Sequence, residues 1–248
     1  MFNNKKVIGV TGPSVYSPEV QSMVEEYFEA IPLSITQNGA EDLALPLSQI
    51  DGLIMAGGRD VCPLFYKQEI TNGDSLSNFD LSRDKREEIL IAECLKREIP
   101  VFGICRGHQM LGVVHGLFLI KDINGSEICH SPNYAKIDLE GLPAHFVECF
   151  DEFSGEFFEK EFVNSFHHQA LWYTDKQKGK DWIRNKGIEV LGIARTQYKT
   201  SNKDEQQIIE LMRGENKKWI SCQWHPELDY DSNAASGRIA AEFKKMIA

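Results

Sequence analysis

The chain lacks long hydrophobic runs: no stretch nears the ~20 apolar residues that a bilayer core demands, so no membrane-spanning helix is expected. It lacks positive charge. Lys and Arg total 27 against 37 Asp and Glu, a formal net charge of -10, and no dense basic run occurs. That balance argues against nucleic acid and against an anionic membrane surface, both of which need clustered cations. It lacks paired cysteine spacing: the six cysteines, Cys62, Cys94, Cys105, Cys129, Cys149 and Cys222, never form a CxxC. No signal peptide is expected either, because MFNNKKVIGVTGPS has a short apolar run and reads as a first strand. A cytoplasmic protein without disulfides is the expectation, with most cysteines acting as small buried hydrophobes. Internal repeats, low-complexity tracts and long linkers are missing too.

What is present is a chain of 248 residues. A chain of that size buries roughly three quarters of its unfolded surface, so one domain over 1–248 is expected. In the first half, short apolar runs alternate with amphipathic ones. KKVIGVTG (5–12), LALP (43–46), DGLIMAGG (51–58) and 99–105 read as strands. Residues 18–31, 79–98 and 107–115 read as helices. The helix over 79–98 has an apolar face of Leu81, Ile89, Leu90, Ala92, Cys94 and Leu95, with charges expected on the opposite, solvated face. This alternation predicts an α/β fold: a mostly parallel central sheet covered by helices on both faces. The second half (118–123, 136–141, 145–150, 167–174, 190–197, 206–213 and 219–225) predicts added antiparallel strands, then a closing helix over 232–248 capped by Ser232 or Asn233.

The chemistry concentrates at VFGICRGHQMLG (101–112). Cys105 sits where a strand gives way to a helix, between Gly103 and Gly107. A side chain at such a turn is lifted clear of the sheet edge, and the following helix aims its first N–H groups at the sulfur, favouring thiolate. That is the setting of an activated nucleophile; a structural cysteine packed between glycines is the bland alternative. QWHPE (223–227) offers a base, His225, at the end of an apolar strand, and Glu227 two residues on to hold the other ring nitrogen; a surface turn with an incidental histidine is the bland alternative. In MAGGRDVCP (55–63) a strand ends in Gly57-Gly58. The backbone N–H groups of Gly58 and of Arg106, the residue after the cysteine, suit an oxyanion hole.

GICRGHQ followed by QWHPE resembles the class I glutamine amidotransferase superfamily. GGRDVCPLFY, RDKREEILI (83–91) and VNSFHHQAL (163–171) resemble its gamma-glutamyl hydrolase branch, which includes gamma-glutamyl-gamma-aminobutyrate hydrolases. The resemblance implies a flavodoxin-like fold and a Cys105–His225–Glu227 triad with oxyanion donors from Gly58 and Arg106. It implies a glutamyl pocket drawn from Gln109, Asn164, Ser165, His167, His168 and Gln169. Strand alternation keeps His167 and His168 from both pointing inward, and His168 and Gln169 are favoured. No cofactor is implied. A metal is not expected either, since HHQ has no further ligands at zinc spacing. The implied partner is a small gamma-glutamyl substrate; a homodimer stays open.

Two departures from the family pattern, His115 before Gly116 and the polar segment 198–213, are expected near the pocket rim. Three rivals remain: a glutaminase that passes ammonia to a synthetase, as amidotransferases do, a catalytically silent binding module, and an α/β-hydrolase. The last ranks low because there the acid precedes the histidine, whereas Glu227 follows it.

Overall fold

The computed structural model describes residues 5–12, 17–35, 47–71, 78–123, 144–150, 157–173, 182–196 and 206–248. The expected strands at 43–46 and 136–141, and Cys129, lie outside them.

Five strands run parallel in the order β2 (Ile31–Ser34), β1 (Val7–Thr11), β3 (Gly52–Met55), β4 (Val101–Ile104), β11 (Trp219–Cys222). From β11 the sheet continues antiparallel through β10 (Gln206–Gly214), β9 (Ile188–Thr196), β6 (Ala144–Phe150) and β7 (Phe157–Asn164). β8 (Ala170–Tyr173) pairs with β10 and with β5 (Leu119–Ile120). The expected fold class holds: parallel strands in the first half, antiparallel additions in the second. Two elements escaped the sequence pattern. Ile31, predicted as the last residue of a helix, instead opens the strand beside β1, and Pro32–Ser34 had no predicted element. Phe157–Asn164 is an eight-residue strand beginning well before VNSF.

Strand alternation sends side chains to two cores. Leu53, Met55 and Val101 face α2 (Leu81–Lys96) and α3 (Arg106–Val114) through Leu90, Ile91, Met110 and Leu111. Ile54, Phe102 and Ile104 face the other way. There they meet α1 (Pro18–Ser22, continued by a π-helical turn over Met23–Tyr27) and α4 (Ala234–Met246). Phe243 of α4 is fully buried, its ring centroid 5.4 Å from that of Phe28 and 5.3 Å from that of Phe102. Burying such a ring stabilises the fold by about 2 kcal/mol. Asn233, one of the two expected caps, accepts from the N–H groups of Ala235 and Ser236 and starts α4.

The α2 helix corrects the sequence reading. Leu81, placed on its apolar face, is exposed, while Arg83, Asp84, Arg86 and Glu87 are buried. Its first half packs charges inward, because a second charged segment, Arg106, meets them there.

His115 also differs from expectation. It packs at a tilt against Trp219 with ring centroids 4.9 Å apart, and Trp219 opens β11. His115 therefore lies at the opposite end of that strand from His225, away from the rim. No described helix is long and apolar enough to cross a membrane.

Candidate active site

Parallel strands deliver their C-terminal ends to one edge, where α/β folds bind ligands. At that edge β3 leads into Gly57-Gly58, β4 into Cys105 and β11 into His225.

Cys105 has φ 51 and ψ -101, a left-handed conformation that is strained for a residue with a side chain. The strain is held by packing. Its N–H donates to Cys222 O at 2.9 Å, and its carbonyl accepts from Gln109 N at 3.1 Å. The flanking glycines allow the close approach: a Cβ on Gly107 would lie 2.1 Å from Met55 O, and one on Gly103 2.9 Å from Gly107 C. Glycine thus lets α3 start directly against β3 and β4. No side chain caps this helix, so its first N–H groups are left facing the turn.

His225 Nδ1 pairs with Glu227 Oε1 at 2.7 Å, which leaves Nε2 for the sulfur. Burial lowers the His225 pKa, but Cys105, through charge and a hydrogen bond, and Glu227 outweigh it and hold the pKa well above its ordinary value. His225 therefore favours its imidazolium form. Gly57 fits between them: a Cβ there would lie 2.8 Å from His225 Cε1 and 3.6 Å from Cys105 Cβ.

Asn164, at the end of β7, fixes the main chain at His225. Its Oδ1 accepts from His225 N at 2.9 Å, and its Nδ2 donates to His225 O at 2.8 Å and to Asp229 Oδ2 at 3.1 Å. Phe166 meets the His225 ring edge to face at 5.7 Å.

Gln223 was missed in the sequence. Its Nε2 donates to Cys105 Sγ at 3.6 Å. The orientation of this amide follows from a chain of bonds. Gln109 Nε2 donates to the main-chain oxygen of Gln169 at 2.9 Å and to Gln223 Oε1 at 3.2 Å, leaving Gln223 Nε2 toward the sulfur. The available signal was period 2: Gln223 and His225 share one side of the strand that QWH continues.

The HHQ segment precedes β8 and is not itself a strand. The two histidines do diverge. His167 is buried, with Nδ1 2.9 Å from Gln169 O, and burial pushes its pKa down to about 4. His168 is half-exposed, with Nε2 2.9 Å from Asp60 Oδ1, and that hydrogen bond raises its pKa. Gln169 Oε1 accepts from Val61 N at 3.2 Å, tying β8 to the turn after Gly58. Ser165 is fully buried, and its Oγ has no hydrogen-bond partner. Of the pocket candidates, Gln109 and Asn164 thus hold their neighbours in place, and Ser165 keeps an unengaged hydroxyl. No group of three or more described His, Cys, Asp and Glu residues has the geometry of a metal site.

The fold class of this edge is that of the class I glutamine amidotransferases. A glutamine amidotransferase from Thermotoga maritima, known from its crystal structure, aligns over 98% of this chain and 94% of its own, with TM-score 0.54 and 18% identity. At the level of sequence, the Peptidase C26 family matches residues 4–227, and the chain belongs to that family. A putative glutamine amidotransferase-like protein, YvdE, from Lactococcus lactis subsp. lactis is 30% identical over 84% of this chain and 78% of its own length. The gamma-glutamyl-gamma-aminobutyrate hydrolase of Escherichia coli O157:H7 is 34% identical over 58% of this chain and 61% of its own. These relationships make the chain a cysteine-type amide hydrolase or amidotransferase.

Proposed function

We propose that the protein hydrolyses gamma-glutamyl amides, with Cys105 as nucleophile, His225 as acid and base, and Glu227 as the group that orients the imidazole. The observation that carries this reading is the strained Cys105 turn beside an imidazole whose other nitrogen is held at 2.7 Å by Glu227. The substrate carbonyl oxygen lies toward the N–H groups of Gly58 and Arg106. The Cys105 thiolate adds to the carbonyl carbon, and negative charge collects on that oxygen. Collapse breaks the C–N bond while His225 protonates the departing nitrogen. An amine leaves, and a gamma-glutamyl thioester remains. His225, now neutral, takes a proton from water; the hydroxide adds to the thioester, glutamate departs and the thiolate returns. General acid–base action is worth ~10²–10⁴-fold and an oxyanion donor ~10²–10³-fold. The half-exposure of His168 supports a place for this residue at the rim of the pocket. Gamma-aminobutyrate is one leaving group among the amines and amino acids that fit the reading, by analogy with the named Escherichia coli relative.

A second reading, a glutaminase that hands ammonia to a synthetase, draws on the amidotransferase-like relative. One screen separates the two: the purified chain is offered glutamine and a panel of N-substituted gamma-glutamyl amides, and glutamate release is followed. Cleavage of substituted amides by the chain alone, abolished in Cys105→Ala, is expected. Activity on glutamine that appears only with a second protein would favour the rival, and turnover surviving in Cys105→Ala would defeat both.

A further inference from the structure

Beneath the site lies a closed group of four charges. Arg83, Asp84 and Glu87 come from α2 and Arg106 from α3, and their side chains are 3, 0, 0 and 1% exposed. Arg106 donates from Nη1 to Glu87 Oε2 and from Nη2 to Asp84 Oδ1. Arg83 Nε donates to Glu87 Oε1 at 2.7 Å, and Thr11 Oγ1 donates to that same oxygen at 2.7 Å. Asp84 Oδ2 accepts from Cys62 N at 3.1 Å. Two cations and two anions cancel, so each is compensated where water is excluded.

The group does more than neutralise itself. The remaining donors of Arg83 reach main-chain oxygens: Nη2 to Ala56 O at 2.6 Å and Nη1 to Gly57 O at 3.1 Å. In a trans peptide, C=O and N–H point opposite ways. Pinning Gly57 C=O to Arg83 therefore turns the Gly58 N–H away from Arg83. Gly58 itself has φ 148, and a Cβ there would lie 2.3 Å from Arg83 Nη1, so its backbone rests directly on this guanidinium. The other oxyanion donor belongs to Arg106, whose side chain is anchored on the same Glu87.

We propose that Arg83 and Glu87 are positioning residues that hold the two halves of the oxyanion hole, the Gly58 turn and the start of α3, in fixed relation. This rests on the hydrolytic reading given above. Arg83 sets the direction of the Gly58 N–H, and Glu87 links Arg83 to Arg106. Neither side chain touches the reacting atoms. Their effect is confined to charge that develops on the carbonyl oxygen, because preorganised donors act there and not on the nucleophile.

The test compares two reactions of Cys105 that differ in their need for an oxyanion hole. Hydrolysis of a gamma-glutamyl amide needs it, and alkylation by iodoacetamide, a displacement at carbon without an oxyanion, does not. Arg83→Met is expected to lower kcat by ~10²-fold with KM changed only a few-fold, while Cys105 alkylates within about twofold of the unmodified rate. Glu87→Gln is expected to act in the same sense. Arg83→Lys keeps the charge, and so serves if Arg83→Met does not fold. One ammonium cannot serve Ala56 O, Gly57 O and Glu87 with the guanidinium's geometry, so its kcat is expected to stay at least tenfold low. Full kcat in Arg83→Lys or Arg83→Met, with Cys105→Ala inert, would overturn this inference and leave the hydrolytic reading standing. Equal losses in hydrolysis and alkylation would overturn it too, by revealing a merely structural role. An unmodified chain inert toward gamma-glutamyl amides would overturn both.

Discussion

The two halves of the sheet hold the same site by different physics. The parallel half, β1 to β4 with α2 and α3, fixes Cys105 and the Gly57-Gly58 turn with buried ions: Glu87 lies against two arginines, and burial, which raises its pKa, is overcome by Arg106 and Arg83, leaving it at about 2. The antiparallel half fixes the His225 main chain with a neutral amide. Asn164 clamps the His225 main chain, and His167 stays uncharged in its buried place. β11 joins them, supplying Gln223 and the His225 arm. Ions give rigid direction where backbone donors must be aimed. Amides give register where a strand end must be kept in place.

The largest test of this contrast removes the nucleophile. Cys105→Ala is expected to reduce turnover by ~10⁴-fold or more, with the melting temperature held, because Ala keeps the Cβ that the turn already accommodates. Glu227→Gln comes next. The imidazole loses the carboxylate that fixes its tautomer, and kcat is expected to fall ~10³-fold; a change below tenfold would detach Glu227 from the proposed triad.

The neutral histidines make a pH prediction of defined sign. His108, bonded to Ser221 Oγ and Ile209 O at 3.0 Å each, has a pKa pushed by burial from 6.5 to about 4, as has His167. The folded chain binds these protons later than the unfolded chain. The stability they contribute is full above pH 6.5 and is lost as pH falls to about 4, up to about 3 kcal/mol for each. Chemical denaturation across that window reads the slope, and His108→Gln should remove its share. An unchanged slope would mean that the buried ring takes up its proton as readily as it does in the unfolded chain. The smallest effect is that of Asn164→Ala. Loss of the clamp should lower kcat by about tenfold and stability by about 1–3 kcal/mol, while leaving iodoacetamide labelling of Cys105 within a few-fold.

Much of this was readable in the linear chain. Strand-turn-helix at Cys105, with glycines on either side, follows from local pattern, because close packing of α3 on β3 leaves no room for a Cβ. The parallel sheet of the first half follows from alternation of apolar runs and helices. The buried charges of α2 were not readable. Arg83, Asp84, Arg86 and Glu87 form a helical face of their own, and a charged face reads the same whether water or opposite charges await it. Gln223 was hidden for a similar reason, since its task depends on Gln109 and Cys105, both more than a hundred residues away.

The sequence by itself determined the local elements, the glycine-flanked cysteine and the histidine with its carboxylate two residues on. Short-range sterics and hydrophobic period act between near neighbours. Tertiary structure alone decided which polar groups face one another: the guanidinium under the Gly58 turn, the amide behind the sulfur, the asparagine around His225. Such pairings depend on distances set by strands far apart in the chain, and a buried charge or amide has its meaning only from the partner that meets it.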